Sequence, residues 1–309
     1  MARNKTAVTP QQPVGCIGLG IMGGAFARHL LADGFAVAGF DIAAQRRAVL
    51  KKLGGQPATS LAAVSRQSAV LVTSLPSIAA INAAFFGKDG IVASAKRGTV
   101  IIETSTLPLQ VKHEIRERCG QRGITVLDCP VSGTGAQAAV RDIAIYASGD
   151  RKAYARAEAV LKGFSRSVYY CGEYGNGSKL KYVANLLVTI HNLSTAEAMV
   201  MGLKSGLDLE LLYKVIRDGA GTSRMFEVRG PLMIAGDYRK ATMKVEVYKK
   251  DLDIIEQFAA DLHCPTPLFE ASKPFYAAAH AQGRALEDTA AVCAVLEQMA
   301  GIKRKKRHI

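Results

Sequence analysis

Between residues 14 and 175, seven short runs rich in β-branched residues alternate with stretches of helical periodicity: "VGCIGLG", "AVAGFDI", "AVLVTSLP", "TVIIETST", "ITVLDCPV", "DIAIYAS" and "SVYYCG". Strands joined by helical crossovers lie parallel, so this alternation predicts an α/β domain with a mainly parallel sheet. The strand signal stops at Gly175. "SKLKYVANLLVTIHNLSTAEAMVMGLKSG" (178–206) then reads as one long helix ended by Gly206, and further helical segments are expected near 208–218, 244–261, 268–281 and 286–299. At 309 residues the chain is long enough for two domains or one large one, and at 49% hydrophobic it can bury a sizeable core. The expected organisation is an α/β domain at 14–175, an all-helical domain at 176–301 and a basic tail at 302–309.

The first of the seven runs leads into "GCIGLGIMGGAF" (15–26), which sets Gly18, Gly20 and Gly23 behind a strand and ahead of the helical "ARHLL". Glycines there let backbone N–H groups and a helix N-terminus approach a pyrophosphate closely. The second strand ends at Asp41, 23 residues after Gly18, the spacing at which an acidic side chain meets the adenosine ribose. The N-terminal domain is therefore expected to be of the Rossmann type, with Gly18, Gly20, Ile21, Met22 and Gly23 along the pyrophosphate. Asp41 favours NAD over NADP because a carboxylate repels a 2′-phosphate; Arg46 and Arg47, just beyond it, keep NADP open. Ligands of open parallel sheets lie beyond the strand C-termini, which adds Leu75 and Pro76 of "TSLPS" and Thr106 of "ETSTLP" to the cofactor site. Pro76 and Pro108 also read simply as strand stops.

Other function classes find little support. The six cysteines form no CxxC pair and have no metal-ligand spacing with the six histidines, so no metal is expected and a reducing cytoplasm fits best. "MARNKTAVTPQQP" lacks the apolar core of a signal peptide, and the apolar stretch 183–203 is interrupted by Asn, His, Ser, Thr and Glu, so no membrane segment is expected. Of the net charge of +14, five charges sit in "KRKKR" (303–307) and two in the first thirteen residues, leaving about +7 on the body. No aromatics interleave the basic tail, which reads as a solvated end rather than a nucleic-acid site. The body charge suits small anions.

Two further stretches carry chemistry. "LDCPVSGTGAQAA" places Ser132, Gly133 and Thr134 just past a strand, where N–H and O–H donors can hold a carboxylate. "GNGSKLKYVAN" (175–185) opens the long helix with Lys181 and Asn185 four apart on one face. Read alone, Lys181 is a solvent-facing lysine.

Taken in order, "GLGIMG" (18–23), "DCPVSGT" (128–134), "GNGSKLKYVAN" (175–185) and "KKDLDI" (249–254) make the chain, from about 14 to 300, resemble the β-hydroxyacid dehydrogenases. That family includes 3-hydroxyisobutyrate dehydrogenase and tartronate semialdehyde reductase and is related to 6-phosphogluconate dehydrogenase. The resemblance implies an NAD-dependent interconversion of a small hydroxy acid and its oxo acid. It also implies Lys181 as the catalytic lysine, Asn185 as its substrate-holding neighbour, Ser132, Gly133 and Thr134 as the carboxylate loop, and Lys250 near the nicotinamide end. A free lysine has a pKa of about 10.4, so such a site must lower it by burial or by nearby positive charge. The chain departs from the family's usual residues at Thr134, Ala184 and "TLPL" (106–109). "SRMFEVRGPLMIAGDY" (223–238) resembles the L-threonate dehydrogenase branch, with Arg224 where that branch has Trp, so a four-carbon sugar acid is one expected substrate. The alternatives are an imine reductase on the same fold and a non-catalytic dinucleotide-fold binding protein. A homodimer or homotetramer is expected, since the apolar 183–203 run otherwise lacks cover.

Overall fold

The computed structural model describes residues 12–304. The polar stretch 1–11 and residues 305–309 of the basic tail lie outside the described residues. The chain divides into two compact units, the first ending at Lys181 and the second beginning at Tyr182.

In the first unit each of the seven expected runs holds a strand. β1 (Val14–Ile17), β2 (Val37–Phe40), β3 (Gln56–Pro57), β4 (Val70–Thr73), β5 (Val100–Glu103) and β6 (Thr125–Asp128) form a six-stranded sheet in the order β3-β2-β1-β4-β5-β6. All its pairings are parallel. The last two runs do not join it: β7 (Val131–Ser132), β8 (Ala144–Ala147) and β9 (Ser167–Tyr170) make a separate three-stranded sheet, in which β7 is antiparallel to β8. Two strands escape the sequence reading. β3 is a two-residue edge containing a proline, and β7 shares one apolar run with β6, from which Cys129 and Pro130 divide it.

Strand residues alternate between two cores, as side chains on a pleated strand must. Cys16, Val72, Val100, Ile102 and Leu127 face one cluster with Phe26 and Leu30 of α1 (Ile21–Ala32) and Leu161 and Phe164 of α8 (Arg151–Phe164). Ile17, Leu71, Ile101 and Val126 face the other. Five helices flank the main sheet's strands in sequence: α2 (Ala44–Lys52), α3 (Leu61–Gln67), α4 (Ile78–Phe86), α5 (Ile91–Ser94) and α6 (Leu109–Gly120). Val64, Ile81, Phe85, Ile91, Ile115 and Cys119, from α3 to α6, complete the second core. Burial on both faces explains why these strands read as continuous apolar runs. The short α7 (Gly135–Ala139) follows β7 and is tied to α1, where His29 Nε2 lies 2.8 Å from Ala138 O and Arg28 donates to Ala139 O.

α9 (Asn176–Lys204) is the long helix, and Gly206 past its end has φ +80°. The second unit continues with α10 (Leu209–Arg217), α11 (Arg224–Ala235), α12 (Val245–Asp261), α13 (Pro267–Ala279) and α14 (Val292–Met299). α11 is not among the expected helices because Gly230 and Pro231 interrupt its pattern. It forms because Ser223 accepts from Phe226 N at its start and left-handed Gly236 ends it. Its Arg229 is buried against Asp288, 2.6 Å away. α9 is long and apolar enough by composition to cross a bilayer, with mean hydropathy 1.3 in its most apolar window. Its polar residues Asn185, Thr189 and Asn192 are nonetheless buried and hydrogen bonded to protein groups, the signature of a core helix.

Arg304, expected in solvent with the rest of the basic tail, is held instead. It donates to Met233 O at 2.5 Å and Ile234 O at 2.7 Å, the last carbonyls of α11, and pairs with Glu297.

Candidate active site

The glycine loop lies at the C-terminal end of β1. Gly18 has φ +83°, and a Cβ there would meet Ser74 O at 2.2 Å; a Cβ at Gly23 would meet Gly18 O at 1.9 Å. Backbone packing thus excludes side chains at both positions. Gly20, in contrast, is open toward the outside of the loop, with Arg46 3.6 Å from its would-be Cβ. α1 begins at Ile21 with no side-chain cap and no acidic residue in its first turn. Its first amides, at Ile21, Met22 and Gly23, therefore form an uncompensated positive helix end of the kind that binds phosphate.

Asp41 is buried at the end of β2, where Oδ2 accepts from Leu19 N at 2.8 Å and Oδ1 from Ala43 N at 2.8 Å. The Arg46 guanidinium lies 3.2 Å from Oδ2. Although burial opposes ionisation, these two amides and Arg46 together hold the carboxyl below its usual range. Arg47 turns back to donate to Asp41 O at 2.5 Å. At the β4 end Leu75 is half-buried and Pro76 exposed, and Leu75 N donates to Ser105 Oγ at 3.0 Å. This bond ties the Leu75–Pro76 stretch to the β5 end that carries half-buried Thr106.

Ser132, Gly133 and Thr134 are all half-buried. Gly133 has φ +140°, with Ile143 Cγ2 only 2.6 Å from its would-be Cβ. Thr134 caps α7 in a reciprocal box with Gln137, its N–H donating to Gln137 Oε1 at 3.0 Å. This loop and the glycine loop are brought together: Ile21 Cγ2 lies 2.3 Å from the position of a Cβ at Gly135.

Lys181 is not a surface residue; it is 9% exposed. The start of its helix is fixed by a buried charge cluster that the sequence reading missed. Lys112 of α6 is fully buried, pairs with Glu103 at the end of β5 and lies 2.9 Å from Asp128 Oδ1 at the end of β6. Burial disfavours its ammonium, but the two carboxylates outweigh that and push its pKa well above the lysine range. Asp128 in turn accepts from Ser178 N at 2.7 Å and Ser178 Oγ at 2.8 Å. Ser148 Oγ takes Gly177 N at 3.0 Å. The missed signal was periodicity: Lys112 shares the buried stripe of α6 with Ile115 and Cys119.

In the second unit Asn185 is 5% exposed, and its Nδ2 donates to Asp251 Oδ2 at 2.9 Å. Asp251 neighbours Lys250, whose Nζ is 3.6 Å from Asp251 Oδ1. Asp251, inside the quoted "KKDLDI", was not singled out from sequence, yet it fixes the amide of Asn185. Tyr248 Oη donates to Asn185 O at 3.0 Å and lies 2.8 Å from Thr189 Oγ1. Burial raises its phenol well above the ordinary tyrosine range, which keeps it a neutral donor.

Comparison with known proteins decides the family. Residues 13–172 match the NAD binding domain of 6-phosphogluconate dehydrogenase, and residues 175–296 match a family described as NAD-binding of NADP-dependent 3-hydroxyisobutyrate dehydrogenase. L-threonate dehydrogenase of Cupriavidus necator is 35% identical over 280 residues, covering 90% of this chain and 94% of the relative. The chain belongs to the β-hydroxyacid dehydrogenase family. The crystal structure of a 3-hydroxyisobutyrate dehydrogenase from Salmonella typhimurium superposes with a TM-score of 0.84 at 31% identity, covering 92% of this chain and 99% of that one. An imine reductase of Streptomyces aurantiacus, with TM-score 0.61 and 20% identity over 92% of this chain and 99% of its own, shares the fold alone. As a β-hydroxyacid dehydrogenase the protein is an oxidoreductase that acts on a hydroxy acid with a nicotinamide dinucleotide. The open glycine loop and the uncapped, acid-free start of α1 fit that cofactor.

Proposed function

We propose that this β-hydroxyacid dehydrogenase interconverts a small hydroxy acid, foremost a four-carbon sugar acid of the L-threonate type, and its oxo acid, with Lys181 as the proton-transfer group. The observation that carries the reading is the burial of Lys181, 9% exposed, in the first turns of a helix anchored by Asp128. A lysine kept for solubility has no reason to be there. A bound nicotinamide would supply the hydride acceptor for the alcohol carbon. Lys181 takes the alcohol proton at Nζ and returns it in reduction. The N–H groups and hydroxyls of Ser132, Gly133 and Thr134 hold the substrate carboxylate, and Asn185, its amide turned by Asp251, donates to or accepts from a substrate oxygen. Lys250 is assigned to the nicotinamide end.

NAD is assigned over NADP, supported by a buried Asp41 that backbone amides and Arg46 keep ionised. A homodimer or homotetramer is supported by the exposed apolar side chains Val183, Leu187 and Met201 along α9.

Lys181→Met is expected to lower kcat by about 10²–10⁴, the usual contribution of a positioned acid–base group, while NADH affinity stays near wild type. Lys181→Arg keeps the charge but cannot release a proton near neutral pH, so it should turn over at less than about a tenth of the wild-type rate. An arginine variant faster than that would remove Lys181 from the role.

A further inference from the structure

α9 begins without a cap of its own. Gly175, the residue before it, has φ +96° and no side chain, yet the first amides of any helix need acceptors. These are supplied from elsewhere in the first unit. Gly177 N donates to Ser148 Oγ, and Ser178 gives both its N–H and its hydroxyl to the two oxygens of Asp128, 50 residues away in sequence. The fit is close: a Cβ at Gly177 would lie 2.2 Å from Tyr146 O and 2.8 Å from Asp128 O. The helix start is thus pressed onto the β6 and β8 ends and locked there by one bidentate side-chain acceptor, with Lys181 three residues past Ser178. Asp128 is buried against Lys112, so its position is itself fixed from below.

We infer that Asp128 is a positioning residue for Lys181, capping α9 from another strand and so fixing the turn that aims the lysine. The inference rests on the proton-transfer role proposed for Lys181. It also explains why two separated motifs, "DCPVSGT" and "GNGSK", occur in one chain: the first residue of one caps the helix that the other begins.

The test is a double-mutant cycle in the full-length protein. Asp128→Asn replaces one of the two acceptor oxygens facing Ser178 with an amide. It is expected to lower kcat by tenfold or more, because a shift of about 1 Å in a reacting group can cost on the order of 10²-fold. NADH affinity, read by fluorescence, should change by less than about twofold. In the Lys181→Met background, where there is no lysine left to aim, Asp128→Asn should change the residual rate by less than about twofold. Full kcat in Asp128→Asn, or the same fold-loss in both backgrounds, overturns the inference and leaves Asp128 a structural residue. Near-normal turnover of Lys181→Met itself overturns the proton-transfer reading, and the inference falls with it. Should Asp128→Asn fail to fold, Ser178→Ala removes one bond to the same carboxylate and leaves the charges in place. It must show a smaller loss of kcat that likewise disappears without Lys181.

Discussion

Replacing Lys112 with methionine isolates the charge balance under α9. The methionine fills nearly the same volume, but the substitution leaves Glu103 and Asp128 as two fully buried carboxylates without their shared cation. Removing one partner of a buried ion pair costs about 3–5 kcal/mol. At about 2–4 °C per kcal/mol for a protein of this size, the melting temperature should fall by about 6–20 °C. The loss should also depend on pH. In the wild type the lysine pKa is raised, so its contribution is fully present below the ordinary lysine range and constant between pH 5.5 and pH 8. In the variant, two like charges in a dry site raise a carboxyl pKa above its unfolded value of about 4, and every tenfold gain in proton affinity is worth about 1.36 kcal/mol. A group whose folded pKa is raised stabilises the fold as pH falls, so the gap between variant and wild type should narrow from pH 8 to pH 5.5. Urea unfolding followed by circular dichroism and tyrosine fluorescence at the two pH values measures it. A variant within about 1 kcal/mol of wild type at pH 8, or a gap of equal size at both, would refute the reasoning.

Asp41→Ser should reduce kcat/KM with NAD at least tenfold while NADP use rises, because Arg46 then faces the 2′-position unopposed; steady-state kinetics with each cofactor decide, and an unchanged NAD preference would exclude Asp41 from ribose recognition. Ending the chain after Gly301 removes Arg304 from the end of α11 and leaves Glu297 without its guanidinium. The expected result is a stability loss of about 1–3 kcal/mol with kcat per folded enzyme unchanged, and scanning calorimetry beside initial rates will detect a truncation that leaves stability untouched.

What could be read from sequence followed from how local each signal is. The glycine loop announced itself because Gly18 and Gly23 must approach backbone oxygens, and a short β-branched apolar run such as "VIIE", buried on both faces, needs no partner to be seen. α11 was hidden because Gly230 and Pro231 argue by propensity against a helix whose ends Ser223 and Gly236 mark, and the ion pair of Arg229 with the distant Asp288 leaves no local sign. Lys112 left one local sign, its place on the apolar stripe of Ile115 and Cys119, too weak to outweigh its charge. A lysine on an amphipathic helix is ordinarily solvated, and only the pairing of β5 with β6, which sets Glu103 beside Asp128, makes a buried site for it. Arg304 read as one more charge in a basic tail because nothing local says that two carbonyls and a glutamate await it.

α9 raises a different question, that of azimuth. A rod that is apolar on most of its circumference can turn about its own axis in a greasy environment with little change in buried area, since dispersion and hydrophobic forces have no direction. Asn185, Thr189 and Asn192 remove that freedom. They lie along one line of the cylinder and each must reach a different partner, Asp251 and Tyr248 on α12, Tyr276 on α13 and the carbonyl of Thr289. A rotation of a few tens of degrees would strand all of them at once in a medium where an unmatched donor costs about 1–3 kcal/mol. The polar line therefore acts as a rotary detent: the angle at which Asn185 is presented is set by bonds made one and two turns further along the rod.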